Sequence, residues 1–151
     1  MIERLHHKEE ATAAEILALQ IPAYQVEASL IGDDGIPHLQ DTIDMIKESN
    51  EIFIGCLTEG ELCGFLSYKD EEDTAFIHRL VVHPGQFHEG TASKLLTYFL
   101  QEESAGRNVK VTTGAKNEPA RNLFKKFGFE ELDMFSARSG INLVLLEKKY
   151  G

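Results

Sequence analysis

The chain has 151 residues, 42% of them hydrophobic and 26% charged, a balance that predicts one globular domain over 1–151 with room for an ordinary core. No stretch approaches the apolar length of a membrane span and the opening MIERLHHKEE is too charged for a signal peptide, so a soluble, cytoplasmic protein with no membrane contact is expected. The net charge of -10 argues against nucleic acid as a partner, because phosphate repulsion would have to be overcome.

In chain order, residues 1–5 can form a short first strand. Ala11–Gln20 reads as a helix with Ile16, Leu17 and Leu19 on one side and Glu9, Glu10 and Glu15 early, where the helix dipole favours acids. Pro22 is expected to interrupt it, with AYQVEASLIG resuming the helical pattern up to Gly32. Gly32–Gly35 with Pro37 reads as a loop, and LQDTIDMIKESN as a third helix that buries Ile43 and Ile46.

After Asn50 the period becomes extended. EIFIGCL and LCGFLSY alternate as two antiparallel strands around the turn Thr58–Glu61, DEEDT is a second turn, and AFIHRLVVH is the third strand of the meander. Thr91–Glu103 is a helix with Ala92, Leu95, Leu96, Phe99 and Leu100 inside, and NVKVTTGA is a strand. Strand, helix, strand predicts a right-handed crossover to a parallel neighbour. Asn117–Lys126 is a helix capped by Asn117 and ended by Gly128, and FEELDMFSAR and INLVLLEKKY form a closing hairpin around Ser139-Gly140. The fold class is therefore mixed α/β with one central sheet.

Cys56 and Cys63 sit on neighbouring strands across the Thr58–Glu61 turn. They read as a conceivable disulfide or as two small buried hydrophobes. Two cysteines without a nearby histidine pair make no zinc site, so no metal is expected.

The segment from Ala75 to Leu96 is an apolar strand that breaks at Pro84 and turns through Gly90 into an amphipathic helix. Such a turn offers backbone N–H groups and a positive helix end to an anion, and Gly90, Ala92 and Ser93 are small enough for close approach. It is neither a Walker loop nor a dinucleotide fingerprint. It resembles the pyrophosphate motif of the GCN5-related N-acetyltransferases (the GNAT superfamily), Arg/Gln-x-x-Gly-x-Gly/Ala, whose matching residues are Phe87, His88, Glu89, Gly90, Thr91 and Ala92. Phe87 stands where that family has a basic or amide residue. A second stretch, NEPARNLFKKFGF, matches the family's Asn followed by Ala-x-x-Leu-Tyr-x-x-x-Gly-Phe at Asn117, Ala120, Leu123, Phe124, Gly128 and Phe129. The order of elements matches along essentially the whole chain.

The resemblance implies a GNAT-like acyl-CoA N-acyltransferase fold: a splayed central mixed sheet flanked by helices. It implies acetyl-CoA as co-substrate, with pantetheine along the strand edge of Leu80, Val81 and Val82, the pyrophosphate on N–H groups from Phe87 to Ala92, and Asn117 bonded to the cofactor tail or serving as a helix cap alone. The implied reaction is direct attack by a small primary amine on the thioester, which needs a base for the ammonium and help for the leaving thiolate. Phe124 is counted among the implied cofactor contacts; in the family a tyrosine at its position often gives that help, and phenylalanine cannot. Another group protonates the sulfur, or it leaves unassisted, or the chain is a non-catalytic acyl-CoA-binding or regulatory module. An unrelated binding domain with a fortuitous strand-turn-helix is the third reading.

The candidate catalytic residues are His78, Glu27 and Tyr24. Strict alternation puts His78 and Leu80 on one strand face and Ile77, Arg79 and Val81 on the other; His78 is then a base or a surface residue. His83, before Pro84, reads as structural or a phosphate-side contact, and His88 as an anion ligand opposed by Glu89. Tyr24 and Glu27 are spaced to share a helix face, and their segment PAYQVEASLIG resembles what a subset of bacterial family members carry in the region that usually lines the acceptor pocket. Glu27 either is solvated or pairs with a cationic amine, and Arg79 is a salt-bridge partner, to Glu27 or to the DEED turn.

The charge is uneven. Residues 1–73 carry 4 Lys and Arg against 17 Asp and Glu, and residues 74–151 carry 11 against 8. This is either a solvated acidic surface or an acidic half that draws a cationic acceptor toward an anionic cofactor seated in the other half. A homodimer is compatible with the hairpin.

Overall fold

A computed structural model describes residues 1–31, 37–84, 90–104, 106–137 and 140–150. The expected loop at Gly32–Gly35, the turn residues Phe87, His88 and Glu89, and Ser139 lie outside the described residues. The elements run β1 (Ile2–Arg4), α1 (Glu10–Ile31), a 3-10 turn (Pro37–Gln40), α2 (Ile43–Glu48), β2 (Ile52–Thr58), β3 (Glu61–Glu71) and β4 (Thr74–Val82). Then come α3 (Thr91–Tyr98), β5 (Asn108–Gly114), α4 (Glu118–Lys126), β6 (Glu130–Ser136) and β7 (Asn142–Lys148).

One seven-stranded sheet has the order β1-β2-β3-β4-β5-β7-β6. Its pairs are antiparallel except β4 with β5, which is parallel, as the crossover through α3 requires. The central strands are buried on both faces because helices cover both. Phe53 and Phe65 face α1 with Ala13, Ile16 and Ala23, while their neighbours Ile54 and Leu66 face α3 with Leu95, Leu96 and Phe99. That two-faced alternation explains why β2 and β3 read as nearly continuous apolar runs.

Two expected boundaries move. α1 continues through Pro22 as one 22-residue helix. Proline removes one backbone bond, but Ala23, Tyr24 and Ala28 continue the buried face begun by Ala13, Ile16 and Leu19. The third helix begins only at Ile43, because the Thr42 hydroxyl accepts from Met45 N at 3.2 Å and so sets the start. The helix after Thr91 extends to Glu103 as expected, but its last turn, Phe99–Glu103, is a π-turn closed by Ser104 N to Phe99 O at 2.9 Å. Both cysteines are buried free thiols, and Cys63 Sγ donates to Cys56 O at 3.1 Å.

A buried ionic knot ties the α1 side to the sheet. Arg79 is 6% exposed, and its Nε and Nη2 donate to the two Glu51 oxygens at 3.0 and 3.2 Å. Its Nη1 donates to Gln20 Oε1 at 2.7 Å and Asp41 Oδ2 at 2.8 Å. Ser67 and Ser49 hydroxyls donate to the remaining Glu51 lone pairs at 2.5 and 2.8 Å, and the guanidinium lies 5.4 Å from the Phe53 ring centre. The expected partners, Glu27 and the DEED turn, are not the ones Arg79 uses: its head group lies under α1, and acids at both ends of α2 converge on it. Four elements, α1, β2, β3 and β4, and the two segments that flank α2 meet in this knot.

Burial alone would raise the Glu51 carboxyl, but the bonds from Arg79 and Ser67 hold it down at about 2. A depressed carboxyl adds stability above its unfolded value near 4.5, and that contribution is lost as pH falls toward 2. Acid unfolding followed by circular dichroism should therefore steepen between these limits, and Glu51→Gln should flatten the steepening. The same substitution is expected to cost about 3–5 kcal/mol at neutral pH in urea unfolding, because Arg79 is left with an incomplete partner set; a loss below about 1 kcal/mol would contradict the account.

Candidate active site

The site begins where β4 and β5 part. They pair from Thr74↔Asn108 to Ile77↔Val111, yet β4 runs on to Val82 and β5 to Gly114. At the point of parting β4 carries an extra residue. Ser67 of β3 is opposite Arg79 and Tyr68 is opposite Ile77, so His78 bulges from the ladder. The bulge resets the alternation. Ile77 and Leu80 join the α3-side core, and Val81 joins the α1-side core, while Arg79 turns to Gln20 of α1. The expected grouping of Ile77 with Arg79 and Val81, and of His78 with Leu80, is thus corrected. His78 is exposed and its ring centre lies 6.2 Å from that of Phe76, back along the paired stretch.

His83 N donates to Cys63 O at 2.9 Å. Backbone groups alternate sides along a strand, so those of Val81 face β3 and those of Leu80 and Val82 face the gap that opens beside β5. The free edge consists of these two residues, and Val81 supports it from within the core.

The edge leads to α3. Gly90 caps that helix with φ 74 and ψ 15, a left-handed conformation that favours glycine. The first helical bond runs from Lys94 N to Gly90 O at 3.0 Å. The N–H groups of Thr91, Ala92 and Ser93 thus precede the ladder and point out of the helix end, as an anion seat requires. The Thr91 side chain does not join them: it is 5% exposed and lies so close to β3 that a β-carbon at Gly64 would stand 2.8 Å from its Cγ2. Glycine at 64 lets the helix end sit down on the sheet.

The opposite bank is α4. Asn117 caps it, with Oδ1 accepting from Ala120 N at 3.2 Å and Nδ2 donating to Glu27 Oε1 at 2.5 Å. Two candidates 90 positions apart therefore meet across the mouth of the gap. Asn117 acts as a cap and as a bridge, and Glu27 is half-buried rather than solvated. Burial pushes the Glu27 carboxyl above its ordinary range, against the pull of the Asn117 bond. Tyr24, one turn earlier, is 9% exposed; burial and the charge of Glu27 push its phenol upward, so it stays protonated. Its ring centre lies 5.5 Å from that of His38.

Phe124 does not line the gap. It is 3% exposed and packs edge-on against Phe129 at 5.2 Å in the α3-side core. The expected cofactor contact at this position is corrected, since a buried ring with no polar atom can neither bond nor protonate a ligand.

Sequence reasoning missed His38, Asp41 and Gln20. His38 Nδ1 lies 3.0 Å from Asp41 Oδ2, and Gln20 Nε2 donates to His38 O at 2.9 Å and Asp41 Oδ2 at 2.8 Å. The three-residue spacing of His38 and Asp41 was visible, and so was a glutamine on the apolar face of α1. Among the described residues no group of three or more His, Cys, Asp or Glu is arranged to hold a metal ion, and no helix is long and apolar enough to cross a membrane.

Comparison with known proteins gives the arrangement a context. The chain is 41% identical over 143 residues to the UPF0157 protein YqkA of Bacillus subtilis (strain 168), across 95% of this chain and 42% of that protein; it spans less than half of that relative's length. Its fold is similar to that of the ribosomal-protein-S18-alanine N-acetyltransferase from Escherichia coli, with a TM-score of 0.77 at 16% identity over 100% of this chain and 94% of the other. It is likewise similar to the PaiA N-acetyltransferase from Thermoplasma acidophilum, solved in complex with coenzyme A, with a TM-score of 0.78 at 15% identity over 99% and 98%. The sequence model of the Acetyltransferase (GNAT) family matches residues 14–129, which include the parting strands, the Gly90 turn and the Asn117 cap, and the chain belongs to that family.

Proposed function

We propose that the protein transfers the acetyl group of acetyl-CoA to a small primary amine. The observation that carries this reading is the gap between β4 and β5, which offers the backbone of Leu80 and Val82 on one side and leads to the capped end of α3 at Gly90. Pantetheine carries two amides and can add to such an edge as a strand would. The pyrophosphate then meets the N–H groups of Thr91, Ala92 and Ser93. The PaiA N-acetyltransferase with this fold was solved with coenzyme A, which supports the same ligand here.

The acceptor side is acidic. Glu27 is the carboxylate at the mouth, bonded to Asn117, and a carboxylate there favours a cation. The amine's lone pair attacks the thioester carbon, the C–N bond forms, the C–S bond breaks and the electron pair leaves on sulfur. No tyrosine stands at Phe124 to protonate that sulfur, an observation that favours a second reading, a module that binds acyl-CoA without turnover.

Incubation with acetyl-CoA and a panel of primary amines, followed by free-thiol release, separates the two. Acetylated amine with stoichiometric thiol is the expected result; thermal stabilisation by acetyl-CoA without turnover favours the binding module, and neither response overturns both.

Two substitutions sharpen the assignment. Gly90→Val forces a β-branched residue into the left-handed region at a cost of about 1–2 kcal/mol, and calorimetry should show acetyl-CoA bound ~10-fold more weakly; unchanged affinity would refute the seat. Glu27→Gln keeps an acceptor for Asn117 but removes the charge, so KM for a cationic amine should rise roughly 10-fold with kcat less affected. Because burial raises the Glu27 carboxyl, the wild-type KM should begin to climb, as pH falls, at a higher pH than an ordinary carboxylate would give. A KM that is independent of both the charge and the pH contradicts the role.

A further inference from the structure

We infer that His38 is the base that takes the proton from the acceptor ammonium, with Asp41 as its orienting carboxylate. The inference rests on the acetyl-transfer reading above and gives it a proton acceptor.

The geometry is that of a carboxylate–imidazole pair. Asp41 Oδ2 lies 3.0 Å from His38 Nδ1. An ionised carboxylate only accepts, so Nδ1 carries the hydrogen and Nε2 presents its lone pair. The orienting end is fixed from behind: the same Asp41 oxygen accepts from Arg79 Nη1 and from Gln20 Nε2, each at 2.8 Å. Gln20 also holds the backbone of His38 through its carbonyl at 2.9 Å. The Asp41 side chain is 7% exposed and that of His38 is 27% exposed, so the carboxylate is sealed while the imidazole still reaches solvent.

The pair stands at the acceptor side of the gap. Arg79, its anchor, follows the His78 bulge where β4 leaves β5. On its other flank the His38 ring lies against Tyr24 at 5.5 Å, and Glu27, one turn further along α1, reaches Asn117 on the far bank. Contacts thus run from His38 to Tyr24 and, one turn further along α1, from Glu27 to Asn117. Glu27, the group that draws a cation in this reading, stands one turn along α1 from the tyrosine that packs on this imidazole.

The charged and titratable groups facing His38 are Arg79 of β4, Asp41 of the loop before α2, Glu51 just before β2 and the Tyr24 phenol of α1. Burial and the Arg79 charge pull its pKa below the ordinary value, with Asp41 and Glu51 pulling the other way. The ring is thus neutral and able to accept at neutral pH. In contrast, the His78 ring lies against Phe76.

The step balances without a further reactant. His38 Nε2 takes one proton from R–NH3+, the freed lone pair forms the C–N bond, and the thioester C–S bond breaks with its electron pair on sulfur. The nitrogen, made acidic by the new bond, loses a second proton that ends on the thiolate, and His38 returns the first to water.

The test is the pH dependence of kcat/KM for His38→Gln, whose side-chain amide can still donate to Asp41 but does not titrate. We expect kcat/KM to fall by roughly 10²–10⁴-fold, the acid limb set by the imidazole to disappear, and acetyl-CoA to raise the melting temperature as in the wild type. His38→Ala should recover part of its rate with added imidazole, a response that a purely structural role would not produce. Transfer by His38→Gln within about threefold of wild type, or an acid limb that persists there and vanishes in His78→Gln, overturns the assignment while the acetyl-transfer reading stands. A wild-type chain that is not stabilised by acetyl-CoA overturns both.

Discussion

A single buried cation organises the α1 side of the sheet. Arg79 lies beneath α1 with Glu51, Asp41 and Gln20 as direct partners, and each partner comes from a different part of the chain. A guanidinium without partners in such a place would cost several kcal/mol, whereas with bidentate and single bonds in place it fixes direction as well as position. The loop before α2, the segment just before β2 and the middle of α1 all take their positions from this one fork.

The fork also explains how the sheet opens. The bulge at His78 gives β4 two registers, one facing its residues for packing beside β5 and one facing them for the gap. Arg79 is the first ladder residue beyond the bulge, so anchoring it holds the second register in place. The free backbone of Leu80 and Val82 follows from that anchoring. On the other side of the sheet the N-terminal end of α3 depends on a different contact, the absence of a side chain at Gly64 where Thr91 packs. The two halves of the site are held by unrelated physics: one by desolvated charge, the other by close packing.

Much of the fold was legible in the sequence. Alternating runs gave β2 to β7, the crossover gave the parallel pair, and the Asn117 cap and Gly128 bounded α4. What failed was of two kinds. Pro22 reads as a stop only if local propensity decides, and here a long apolar face lying on Phe53 and Phe65 outweighs one missing bond. Strict alternation through His78 assumes an unbroken ladder, and a bulge leaves no local signature in AFIHRLVVH. In the candidate site, the family resemblance pointed to Gly90, Leu80, Val82 and Asn117 and helical spacing to Glu27, although their contacts could not be read. Val81 and Phe124 were named with them, but their side chains belong to the core. His38 and Asp41 escaped notice because their spacing carries meaning only once Arg79, from a distant strand, is known to hold the carboxylate.

The bond between Glu27 and Asn117 has a consequence for the order in which the molecule can be assembled. The direct partners of Arg79 lie within residues 20–51 and Ser67, which bonds to Glu51, lies at 67, so the ionic knot is encoded before the crossover begins. Glu27, by contrast, waits for a residue 90 positions downstream, and closing so long a loop brings its entropic cost before any local contact repays it. This contact is consequently complete only when β5 has docked and α4 has started, which makes the mouth of the gap a junction between the first and last thirds of the chain.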